Sequence, residues 1–153
     1  MGRTELTLPQ INNNGNGEDS ISILCKEEIN LSLLKKLYPN IFYPQDWYEN
    51  EQFMNKCFTP GRYTFPKNLL KTSRGKSPYN QKLYPASLVT YIFIVYYKTY
   101  NKVLWPNDYI WCDDFDSNGD QIYVGRYYDP LGLSKNGFSI HRHLTIKENY
   151  GWL

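Results

Sequence analysis

Residues 111–126, WCDDFDSNGDQIYVGR, decide how the C-terminal third of this chain is read. Asn118-Gly119 at its centre is a strong short-range hairpin signal, because both central positions of a type I′ turn need positive φ, which Asn and Gly tolerate. With that pair as the loop, Ser117 faces Asp120, Phe115 faces Ile122, Asp113 faces Val124 and Trp111 faces Arg126. The last pair would set a guanidinium against an indole, a cation–π geometry.

Working outward, the hairpin spans about 108–127, and Asp129-Pro130-Leu131-Gly132 supplies the next turn. A further strand over 138–146 then places Phe138, Ile140, Leu144 and Ile146 on one face, with Ser139, His141, His143 and Thr145 on the other. This is the alternation of a half-buried strand. Upstream the period changes. Ala86 to Lys102 shows no alternation, and Ser87, Thr90, Lys98 and Asn101 share one narrow helical stripe, interrupted only by Ile94. A largely buried helix is expected there, with Pro85 in its first turn and its end before Trp105-Pro106.

The earlier elements are shorter. Ile21, Ile23 and Cys25 alternate briefly, as in a short strand. Asn30 caps a helix whose Leu31, Leu34 and Leu37 share a face, and Pro39 stops it. A second helix is expected from Gln45 or Asp46, with Trp47, Met54 and Phe58 on one side, ending at Thr59-Pro60-Gly61. Arg62 to Phe65 reads as a strand. Residues 1–20 are rich in Asn and Gly and poor in apolar side chains, so they read as a disordered tail before one globular domain over 21–153. The fold class is therefore α+β, with helices in the N-terminal two thirds packed on a C-terminal antiparallel β-meander.

Composition bounds the function. Fifteen tyrosines in 153 residues supply much of the 41% apolar content. Each buries a ring yet needs a partner for its hydroxyl, which suits an extended contact surface. Cys25, Cys57 and Cys112 are odd in number and widely spaced, as expected of free thiols in a reducing compartment. No signal-peptide pattern or myristoylation motif is legible, and the longest apolar run, Leu88 to Tyr97, is about half of a membrane span. A cytoplasmic location is expected, with no membrane partner, no cofactor and no small-molecule substrate.

Charge is unevenly distributed. Residues 1–51 carry four basic and eight acidic side chains, residues 52–107 nine and none, and residues 108–153 four and seven. The basic stretch holds the best functional motif. Arg62, Lys67, Lys71, Arg74, Lys76 and Lys82 lie among Tyr63, Phe65, Tyr79 and Tyr84, a mixture that suits phosphate contacts and base stacking on single-stranded nucleic acid. Acidic and basic segments that face one another after folding would account for the same pattern.

Other motifs are weaker than their structural explanations. Asp114 to Asp120 matches the first half of an EF-hand loop, but the twelfth position, which should be a bidentate Glu, is Gly125. Gly75-Lys76-Ser77 resembles the end of a P-loop, yet the first glycine would fall at Leu70 and Pro78 follows. His141 and His143, two apart on a strand, would chelate a metal with Asp113 or Asp114 and so license a small hydrolase. Histidines on the solvent face of an amphipathic strand read the same way. The leading expectation is a non-catalytic protein-interaction or assembly module, with a protein partner or a second copy. An accessory nucleic-acid binder and the metal-dependent hydrolase are the alternatives.

Overall fold

The computed structural model describes residues 11–13, 20–42, 47–66, 70–71, 83–102, 104, 109–127, 137–141 and 150–152. The fold class is α+β. Helices α1 (Leu31–Leu37) and α2 (Ala86–Tyr100) accompany two sheets. One sheet has the order β1-β2-β3, from Ile11–Asn13, Ser20–Cys25 and Gly61–Pro66. The other runs β4-β8-β5-β6-β7, from Leu70–Lys71, Tyr150–Trp152, Tyr109–Phe115, Gln121–Tyr127 and Gly137–His141.

Alternation in β2 and β3 separates the faces of the first sheet. Ile21 pairs with Phe65, Ile23 with Tyr63 and Cys25 with Gly61 on the side that enters the core. Arg62 and Thr64 lie on the opposite side, exposed. Within the stretch read as a tail, Ile11–Asn13 pairs antiparallel with β2 through Ile11 and Ile23. Here the backbone ladder compensates for a sequence with few apolar side chains.

α1 forms as its cap dictates, with Asn30 Oδ1 accepting from Leu33 N at 2.8 Å and Leu31 and Leu34 buried. The second helix does not form as expected. Residues 47–50 make a turn and only Gln52–Asn55 is helical, as a single 3-10 turn. Its N-cap residue, Glu51, makes no capping hydrogen bond because its carboxylate is used elsewhere, on Ser117. Phe53, Met54 and Phe58 still enter the core.

α2 is buried on every side from Ala86 to Val95, packing on β5, β6, α1 and β1. The helix forms and is largely buried as its spacing predicts, and the polar stripe is divided: Ser87 and Thr90 are 2% and 0% exposed, while Lys98 and Asn101 reach solvent. Pro85 sits one position earlier than expected, as N-cap. Asn101 closes the helix in the left-handed region at φ 55°, with its N–H donating to Tyr97 O. Asn tolerates that conformation better than most residues do.

β7 pairs antiparallel with β6 and buries Phe138 and Ile140. Its outer edge is covered. Phe42 bridges Phe138, their rings meeting edge to face at 6.3 Å, and the Trp47 indole N–H donates to Ile140 O at 3.2 Å. Covering an edge in this way blocks unwanted strand pairing. The rest of the expected strand, with Leu144 and Ile146, lies outside the described residues, as does the turn expected at Asp129-Pro130-Leu131-Gly132. Among the described residues no helix is long and apolar enough to cross a membrane.

Candidate functional site

The β5–β6 hairpin forms, but not with the expected turn. Asp116 N donates to Asp120 O at 2.9 Å and Gly119 N to Asp116 O at 3.0 Å, which leaves Ser117, Asn118 and Gly119 as a three-residue loop. Gly119 has φ +85° and Asn118 is not in positive φ. The pattern is a type I turn closed by a left-handed glycine, the other common solution for a short hairpin. Asp116 decides it. Its Oδ1 accepts from both Asn118 N and Asp120 N at 2.9 Å, so an aspartate ahead of the turn organises the loop that the Asn-Gly pair was expected to set.

The register shifts accordingly. The wider turn sets Phe115 against Gln121, and an irregularity beyond it carries Trp111 two positions further, onto Tyr123 rather than Arg126. The Trp111 and Tyr123 rings meet at 5.1 Å in place of the expected cation–π pair. Between Trp111 and Phe115 the strand bulges, with three residues, Cys112 to Asp114, set against Ile122 alone. Gln121 Nε2 fills part of the gap by donating to Cys112 O at 2.9 Å. Asp113 N, turned away from β6, donates to Tyr84 O at 3.0 Å. Bulges characteristically re-aim side chains.

Here the re-aimed side chains are carboxylates. Asp114, 4% exposed, accepts from Ala86 N at 2.6 Å and so caps α2 from a distant strand. Lys56 Nζ lies 3.1 Å from Asp114 and 2.9 Å from Asp113. Burial raises the pKa of Asp114, with help from Asp113, and outweighs the opposing Ala86 N–H and Lys56. Burial opposes the charge on Lys56, but the two carboxylates outweigh it and raise its pKa too. The partners shift in the same sense because Asp114 is enclosed whereas the Lys56 side chain is 45% exposed. Burial, together with both carboxylates, also holds the Cys112 thiol well above its ordinary range, so it stays protonated.

The turn is held from outside as well. Glu51 accepts from Ser117 N at 2.7 Å and from Ser117 Oγ at 3.1 Å. Glu51 and Lys56 flank the same 3-10 turn, whose Phe53 and Met54 are buried, so one anchored segment grips the hairpin at two points with opposite charges. From this frame Phe115 projects, 57% exposed, the one large hydrophobic side chain so exposed among the described residues.

The sequence candidates are distributed differently from expectation. Arg62 and Tyr63 occupy opposite faces of β3, and Tyr63 packs against Phe58, Phe65 and Tyr84 on the core side, its hydroxyl donating to Thr59 O. Lys71 lies in β4. Lys67, Arg74, Lys76, Tyr79 and Lys82 lie outside the described residues, as do Gly75 and Ser77 of the P-loop-like run. His141 lies in β7 opposite Tyr123, two strands from Trp111, and His143 lies outside. The carboxylates that would join them, Asp113 and Asp114, already hold Lys56, and Asp114 also caps α2. Among the described residues no group of three or more His, Cys, Asp or Glu side chains is placed to hold a metal.

Lys56 and Glu51 were not singled out in the sequence; Phe115 entered only as a hairpin pair and Asp116 only within the acidic EF-hand-like run, although Asp at the first position of a type I turn is a legible signal for its role. No protein-family model matches this chain, and neither the curated proteins nor the solved structures searched contain a match.

Proposed function

We propose that the chain is a non-catalytic protein-interaction or assembly module whose contact surface is the braced β5–β6 hairpin, with Phe115 as its anchor. Helices packed on a C-terminal meander serve as the scaffold. The observation that carries this reading is the 57% exposure of Phe115 on a turn tied down by Asp116 and Glu51. A lone exposed aromatic needs no explanation by itself. An aromatic on a braced hairpin differs, because association then costs little ordering entropy, and aromatic anchors dominate interface energetics. Asp113 and Ser117 flank Phe115 and are exposed, which supplies the beginning of a polar rim.

Phe115→Ser tests the reading. Light scattering over a concentration series reports self-association, and capture on immobilised protein, with the bound chains identified by mass spectrometry, reports a heterologous partner. The substitution abolishes the association while the melting temperature stays within about 2 °C, since an exposed side chain contributes little to folding. A wild-type chain that remains monomeric at high concentration and captures the same proteins as the variant would end this proposal.

A further inference from the structure

We draw no further inference here: the strongest candidate, the pair of buried hydroxyls of Ser87 and Thr90 one turn apart on α2, has no hydrogen-bond partner, but nothing in the structure shows what group would meet the two oxygens.

Discussion

Asp114→Ala removes a side chain that joins the hairpin bulge to the start of α2, and its cost follows from the contacts. Ala86 N loses its acceptor at 2.6 Å in a residue that is 0% exposed. An unsatisfied buried amide costs about 1–3 kcal/mol, and loss of a helix cap typically about 1 kcal/mol, which are two views of the same contact and do not add. Relief of carboxylate desolvation offsets part of this, and Lys56 keeps Asp113 at 2.9 Å. A net loss of about 2 kcal/mol is expected, or about 4–8 °C in melting temperature for a chain of this size. Asp114→Asn keeps an oxygen for Ala86 N and should cost about 1 kcal/mol or less.

The two variants also separate capping from charge. The folded pKa of Asp114 lies above its ordinary 3.8, so folding takes up a proton between the two values. The stability this group contributes is complete below the unfolded pKa and is lost as pH rises through the raised folded one. Urea titrations of wild type and Asp114→Asn at closely spaced pH, followed by far-UV circular dichroism, should therefore show the wild-type advantage shrinking from about pH 4 upward. An advantage that grew with pH would mean that Lys56, not burial, governs the carboxylate. An Asp114→Ala variant as stable as wild type would refute the capping role itself.

Three further perturbations address the hairpin. Gly119→Ala places a side chain at φ +85° with no atom within 4 Å of the new Cβ, so it should cost only the backbone term, about 1 kcal/mol, read from the urea midpoint. Asn118→Ala should change stability by less than about 0.5 kcal/mol, because Asn118 is not in positive φ; a loss comparable to that at Gly119 would restore the type I′ turn. Glu51→Ala should cost about 1 kcal/mol and speed hydrogen exchange at the Ser117 amide, whereas unchanged exchange would remove Glu51 from the brace.

The parts of this fold legible in the sequence are those fixed by local chemistry. Asn30 caps α1, Pro85 precedes α2, Gly61–Pro66 forms a strand, and the hairpin stands around residues 117–119. Register failed where two competing interactions won: Asp116 bonds its own loop amides and widens the turn by one residue, which sets Phe115 against Gln121, and the bulge at Cys112 to Asp114 moves Trp111 two positions further, onto Tyr123. Charge counting likewise located a basic stretch but not the cation that matters at the hairpin. Lys56 meets Asp113 and Asp114, 57 and 58 positions away, only because the bulge at Cys112 to Asp114 turns them toward it. A bulge is set by tertiary partners, here Tyr84 O for the Asp113 amide and Ala86 N for the Asp114 carboxylate, and has no periodic signature. Phe115 lies between the bulge and the turn, and it is the extra loop residue that pairs it with Gln121 instead of Ile122. The proposed contact residue and the helix cap thus sit at two neighbouring irregularities, the widened turn and the bulge, neither of which an alternation pattern alone can show.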